Sequence, residues 1–324
     1  MNQAELFTLC GQPVSLYALL AALLALCAAA SLPFFFRRRR LPGRAAAVYV
    51  PAALLLGLLL GRSLYCAVRT DLFLDPLGRS LGAAPFFNLG LGSLSVVGLL
   101  AGVLLAALPA ARLNRVSAAA VLDAAAVPGL LLFAALRFIE PISGQGYGPL
   151  TDLPLFCRVP LGIRNGWGEW SLSVCFLEGV ILLVTALCLW KTETKAAGSL
   201  ALYALVLLSA CQIVPESLRR DGALRVFVFA RVTQIGYAVI LLGSASAAWI
   251  RGARRGLDRK VILAEASAVL LGILLLIGGE FALDRTDWPE VLIYAGMLLV
   301  LFLISLPVLR RIRTEDRRAG EAIR

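Results

Sequence analysis

The chain has 324 residues, 60% of them hydrophobic, with a mean hydropathy of +0.86 and a formal net charge of +11. No single soluble core of this length holds so much apolar side chain, so the sequence is that of an integral membrane protein. The positive balance needs no nucleic acid, because the basic residues punctuate apolar runs as topological anchors at anionic headgroups. The sequence contains no histidine, and so lacks the commonest general base and metal ligand.

A bilayer-spanning helix takes about 20 apolar residues. Runs of that length lie near 13–35, 45–68, 86–108, 118–139, 171–190, 197–216, 232–250, 261–281 and 290–309. If they alternate, one side receives Arg37 to Arg40 with Arg44, Arg112 and Arg115, Lys191 and Lys195, Arg251 to Lys260, and the tail from Arg310, which is 20 of the 31 Lys and Arg residues. That side is cytoplasmic by the positive-inside tendency, leaving the N-terminus outside and the C-terminus inside. The predicted fold class is therefore all-α: a polytopic membrane protein of about nine transmembrane helices. The seven cysteines show no metal-ligand spacing and lie mostly within spans, as small apolar filler. No cofactor or metal is expected.

The first run follows a polar N-terminus and ends in arginines with no small-residue cleavage site, so it is expected to be a retained helix. Tyr17, near its outer end, reads equally as an interfacial anchor or a ligand contact. The second run contains Gly57 and Gly61, a small-xxx-small pair that lets helices approach closely, followed at once by Arg62 and Tyr65. Arg62 has two destinations, snorkelling outward or binding an anionic headgroup inside a cavity. The outer loop from Arg69 to Pro85 mixes charges and prolines and reads as solvated. The third run carries Gly90, Gly92, Gly98 and Gly102, a density that predicts a tightly packed or locally broken helix.

The fourth run, from Leu122 onward, breaks with generic membrane composition. Asp123 stands near its start, Arg137 and Glu140 near its end, and a loop with Gly144, Gln145, Gly146, Tyr147 and Gly148 follows. A charge at bilayer depth costs about 2.5–3.5 kcal/mol on insertion scales, so one that is retained is usually paired, cavity-facing or functional. Asp123 is expected to be a first-turn acid favoured by its own helix dipole, Pro128 to kink the run, and Arg137 and Glu140, three apart, to share a face. The connection from Pro141 to Trp170 carries Trp167 and Trp170 and reads as an external arm at headgroup level. Glu178 and Glu216 are two further intramembrane acids. Behind Glu216 come Arg219, Arg220, Arg225 and Arg231, on the side where positive charge is disfavoured, a placement that suits an anion site. The last two runs carry Glu265 and an acidic outer connection from Glu280 to Glu290, and bring no motif with recognisable chemistry.

In this order, the features resemble the bacterial prolipoprotein diacylglyceryl transferases. The likeness is colinear over about 14–250 and comprises Gly61 to Tyr65, Gly98 and Gly102, Leu122 to Pro128, Arg137 to Gly148, Glu178, Pro215 to Arg219 with the Arg-Asp-Gly that follows, and Gln234. It implies a seven-helix body over 1–250 with a lipid cavity open sideways and an external arm at about 141–170, to which 251–324 adds a helical hairpin and basic tail. It also implies transfer of a diacylglyceryl group from phosphatidylglycerol, or another anionic phospholipid, to the lipobox cysteine of a prolipoprotein in the bacterial cytoplasmic membrane. On that reading Arg137, Glu140, Gln145 and Tyr147 are the catalytic positions, and Arg62, Tyr65, Gly98, Gly148, Glu178, Glu216 and Arg219 hold the substrate. The sequence departs from the family pattern in several places. Glu140 and Ser143 stand where the family has asparagines, Gln145 where it has glutamate, Val97 where it has histidine and Gln212 where it has arginine; Leu208 and Ser209 occupy the region of an expected tyrosine. Glu140 is then either a replacement base or simply a counter-charge for Arg137. Losses of this kind keep open a second reading, a catalytically inactive phospholipid-binding protein derived from the family. A transporter relay has little support, as the sequence shows no inverted repeat.

Overall fold

A computed structural model describes residues 5–9, 12–74, 78–88, 94–164, 168–222, 224, 226 and 231–321. Gly90, Gly92, Trp167 and Arg225 lie outside the described residues. A short antiparallel hairpin, β1 (Glu5–Leu9) and β2 (Gln12–Ser15), leads into α1 (Leu16–Arg38), whose first turn is capped by the Ser15 hydroxyl accepting from the Ala18 amide. Then come α2 (Gly43–Val68), the single turn α3 (Ala84–Phe87), α4 (Val96–Leu105), α5 (Ala107–Asn114) and α6 (Ala118–Ile139), which continues through Pro128 as one helix. The arm is a three-stranded antiparallel sheet of β3 (Tyr147–Leu150), β4 (Gly162–Arg164) and β5 (Trp170–Ser173), in the order β3-β5-β4. The chain ends with α7 (Val174–Trp190), α8 (Ser199–Leu218), α9 (Val232–Arg254), α10 (Arg259–Arg285) and α11 (Glu290–Glu321).

Among the described residues eight helical stretches are long and apolar enough to cross a bilayer, α4 and α5 counting together as one, and α7 is a shorter apolar helix of 17 residues. The chain is an all-α polytopic membrane protein, with strands confined to two small sheets. Leucines along α1, α2, α10 and α11 remain exposed, as expected of surfaces whose solvent is lipid.

The third span differs from its predicted position. Its helix begins at Val96 rather than near residue 86, because the chain first makes the separate single turn α3, and it runs on to Asn114 with a break at Ala106. The glycines of α4 bring its backbone against that of α2. A Cβ on Gly98 would sit 2.3 Å from the Leu60 carbonyl oxygen, and one on Gly102 would sit 2.4 Å from the Gly57 nitrogen. Gly57 and Gly61 receive Leu99 in return, so the small-xxx-small pattern of α2 finds its partner in α4.

Asp123 also differs from expectation. Its carboxylate accepts from the amides of Gly198, at 2.6 Å, and Ala201, at 2.8 Å. It therefore caps the first turn of α8 rather than favouring the dipole of its own helix, because α6 and α8 lie side by side and the open amides of α8 face it. The final pair, α10 and α11, shares a hydrophobic core with the body: Val269, Leu276, Met297, Leu301 and Ile304 join the cluster containing Leu182, Val206 and Leu241.

Gly102→Leu is expected to lower stability by about 1–3 kcal/mol, the usual effect of overpacking. Gly129→Ala, on α6 with open space at its Cβ, is expected to be neutral or mildly stabilising. Thermal unfolding of the two variants in detergent checks the pair.

Candidate active site

Five segments meet at one end of the bundle and each delivers charge. The last turn of α6 supplies Arg137, and the 3-10 turn Glu140–Ser143 that follows supplies Glu140. The first turns of α7 bring Glu178, the last turn of α8 brings Glu216, and the connection to α9 brings Arg219, Asp221 and Arg231. All are at most 7% exposed, with Glu178 at 0%.

Arg137 is the hub. Its Nη1 donates to Glu140 Oε2 at 2.9 Å, its Nε lies 3.1 Å from Glu178 Oε2, and its Nη2 donates to Glu216 Oε1 at 3.1 Å and to the side-chain oxygen of Gln212 at 3.1 Å. Phe133, one turn back, lies with its ring centroid 5.0 Å from the guanidinium. Arg219 shares the same acids: it pairs with both oxygens of Glu140, reaches Glu178 Oε2 at 3.3 Å, and donates from Nε to Asp221 Oδ2 at 2.9 Å. Arg231 completes the group, donating to the Arg219 carbonyl and lying 3.6 Å from Asp221 and 3.9 Å from Glu216. Thr233 donates to the second oxygen of Glu216 at 3.0 Å. Four carboxylates thus face three guanidiniums, with one unit of negative charge in formal excess.

The arm closes over this cluster through glycines. The Gly146 amide donates to Asp221 Oδ2 at 2.9 Å, and its φ of +84° belongs to the region glycine favours. A Cβ there would lie 2.7 Å from the Cys175 Sγ. At Gly148 a Cβ would meet Val174 at 2.7 Å, and the Tyr147 carbonyl accepts from the Arg220 amide at 2.9 Å. Tyr17, at the start of α1, is half-buried and within electrostatic reach of Glu140, Arg137 and Arg219, so the first helix meets the site rather than only the interface.

Of the residues singled out from the sequence, Arg137, Glu140, Glu178, Glu216 and Arg219 come together in this cluster. Gly148 and Tyr147 belong to the arm strand beside it. Gln145 does not join them: its side chain is exposed at the turn, because the left-handed glycines on either side of it, Gly144 and Gly146, direct the backbone toward Asp221. Gly98 is filled by helix packing against Leu60 and offers no room to a ligand. Arg62 does not snorkel outward: it is buried and donates to the carbonyls of Pro85, Phe86 and Asn88, so it fastens the entry to the third span. Tyr65 lies half-buried under it, with the guanidinium 5.5 Å from the ring centroid.

Sequence reasoning did not single out Asp221 as a site residue or foresee the contact of Gln212 with Arg137. Tyr237 of α9 was missed as well; it is fully buried within electrostatic reach of Arg137, Glu216 and Glu178. The signal for Asp221 was its position directly behind two arginines on a side where arginine is unexpected. For Tyr237 the signal was its one-turn spacing from Thr233 on the same helix.

Apolar helices joined at one end by a buried cluster of arginines and acids define a polytopic membrane protein with a charged centre inside it. The family model described as "Prolipoprotein diacylglyceryl transferase" matches residues 4–250. The chain belongs to that family, a family of transferases in lipoprotein biosynthesis. No curated protein matches it.

Removing one partner from a buried ion pair costs about 3–5 kcal/mol, since the remaining charge is stranded. Arg137→Met, which strands three acids, is expected to lose at least that much. Arg137→Lys should recover only part of it, because a single ammonium lacks the planar fork that reaches Glu140, Glu178 and Glu216 together. Unfolding midpoints of the purified variants check this order.

Proposed function

We propose that this chain transfers a diacylglyceryl group from phosphatidylglycerol to the lipobox cysteine of an exported prolipoprotein, in the bacterial cytoplasmic membrane. The observation that carries the reading is the gathering of Arg137, Arg219 and Arg231 in one dry cluster, at the end predicted to face outward. Guanidinium forks bind phosphate oxygens bidentately and stay charged when desolvated. In the step proposed, the cysteine sulfur bonds to the glyceryl carbon and the bond from that carbon to the phosphate oxygen breaks. Glycerol phosphate leaves with the electron pair, and the thiol proton passes to a base. Preorganised cations lower the barrier where charge grows on the departing phosphate.

The two carboxylate oxygens of Glu140 stand where phosphate oxygens would bind, bridging Arg137 and Arg219. Glu140 is the most exposed of the cluster's acids and sits on a 3-10 turn rather than inside a helix, which makes it the one to yield. On this account the lipid phosphate displaces Glu140 from the two guanidiniums, and the released carboxylate accepts the thiol proton. Tyr147 lies in the strand next to it, and Glu178 and Glu216 hold the arginines in place.

The second reading, a phospholipid-binding protein without turnover, is favoured by the pairing of all three guanidiniums with acids and by Gln145 and Gln212 standing where the family pattern has charged residues. Incubating the purified protein with phosphatidylglycerol and a lipobox peptide, then weighing the peptide by mass spectrometry, separates the two. A diacylglyceryl adduct is expected; tight binding of the lipid without any adduct sinks the enzyme reading. Glu140→Gln is expected to lower turnover by about 10²- to 10⁴-fold, the range for loss of a positioned base, while lipid affinity holds or rises because a competitor for the guanidiniums has weakened. Full turnover by that variant would remove Glu140 from the chemistry.

A further inference from the structure

The hairpin of α10 and α11 lies beyond the matched residues, which end at 250. Its outer end nevertheless enters the polar network around the site. Glu280, near the end of α10, accepts from the Ser217 hydroxyl and, at 2.8 Å, from the side-chain amide of Gln234. The same amide donates to Ser217 at 2.8 Å, so the three side chains form a closed triangle linking α10, α8 and α9. The oxygen of Gln234 then accepts from the backbone amide of Arg231 at 3.2 Å. Arg231 in turn carries its guanidinium to Asp221, Glu216 and the Arg219 carbonyl. On the outside of the same connection Arg220 lies 3.8 Å from Glu290, the first residue of α11, an exposed pair worth little by itself.

Three of the seven charged groups in the cluster, Arg219, Asp221 and Arg231, stand on the connection between α8 and α9 rather than inside a helix. Their positions depend on what holds the two ends of that connection. Ser217 is next to Glu216 at one end and Gln234 is three residues past Arg231 at the other. Gln234 and Ser217 bond to each other, and Glu280 accepts from both, holding the pair from α10.

We propose that Glu280 is a positioning residue of the active site: the added hairpin serves as a latch that fixes the ends of the α8–α9 connection, and with them Arg219, Asp221 and Arg231. It touches no substrate and acts through Ser217, Gln234 and Arg231. The effect on turnover rests on the transferase reading above, whereas the effect on the connection does not.

The test compares Glu280→Ala and Glu280→Gln with Glu265→Gln in the full-length protein. Glu265 lies on the same helix but pairs with Arg311 and Trp249, away from the cluster. Glu280→Ala is expected to lower turnover roughly 10- to 100-fold, the scale of a displaced catalytic group, with little change in the KM for the lipobox peptide. It should also speed hydrogen exchange at the amides of Arg220 and Val232, which donate to the carbonyls of Tyr147 and Leu224. Glu280→Gln keeps an acceptor oxygen and should restore most of the turnover. Glu265→Gln should lower the melting temperature but leave kcat and those two amides unchanged. Wild-type exchange at both amides in Glu280→Ala would overturn the proposal. So would an equal loss of turnover in Glu265→Gln, which would mean that the hairpin matters only for docking. If the unaltered protein forms no adduct at all, the transferase reading fails, and the exchange comparison still decides the latch.

Discussion

Sharing of guanidiniums between carboxylates from different helices is the constraint on which this molecule turns. A lone charge in a membrane interior is expensive, so each arginine is tolerable only if every neighbouring helix brings an acid to the same depth. Glu178 from α7, Glu216 from α8 and Glu140 from the turn after α6 all meet at Arg137. That requirement fixes the register of three helices against one another. A shift of one turn, about 5.4 Å, would separate every pair. Such clusters are poor stabilisers, since apolar side chains of equal volume often do as well or better. Their retention in an otherwise hydrophobic bundle therefore argues for a task that needs charge.

The rest of the fold brings those helix ends together and keeps them dry. Close packing of α2 on α4 through glycines shortens the distance across the bundle, and Arg62 pins the entry to that pair by backbone carbonyls. At the opposite end Asp123 satisfies the first amides of α8, which sets the axial position of the helix whose last turn carries Glu216. The two ends of α8 are thus fixed by acids of different function, one capping a helix and one binding arginine. The turn that leads into the arm sheet is joined to the cluster by the Gly146 amide on Asp221.

Hydropathy alone made the spans legible, because a membrane imposes length and polarity on every helix that crosses it. The charges Arg137, Glu140, Glu178, Glu216 and Arg219 were legible for the same reason: in an apolar run a charged residue stands out. What was hidden is what depends on tertiary partners. Asp123 meets amides 75 and 78 residues further along, which no local pattern encodes. Arg62 finds the carbonyls of Pro85, Phe86 and Asn88, a choice set by where the α3 turn folds back. Asp221 lies outside any span, where a charge attracts no notice, and Glu280 reads as part of an acidic outer connection, its partners Gln234 and Ser217 standing 46 and 63 residues away. The start of the third span was misplaced because glycine-rich sequence reads equally as a tight helix and as a break before one.

The substitutions relative to the family pattern make physical sense once the contacts are known. Gln212, standing where the pattern has arginine, removes a positive charge and instead accepts a hydrogen bond from Arg137. Glu140, standing where the pattern has asparagine, adds a negative one directly between Arg137 and Arg219. Gln145 loses its charge at a place where the side chain is exposed, so that change does not compensate inside the cluster. The two buried changes move the balance in the same direction, and the cluster ends with more carboxylates than guanidiniums. An anionic headgroup entering such a site has to compete with Glu140 for the same two forks. On the reading proposed above, binding and turnover therefore begin with the same exchange, the carboxylate of Glu140 giving way to a phosphate.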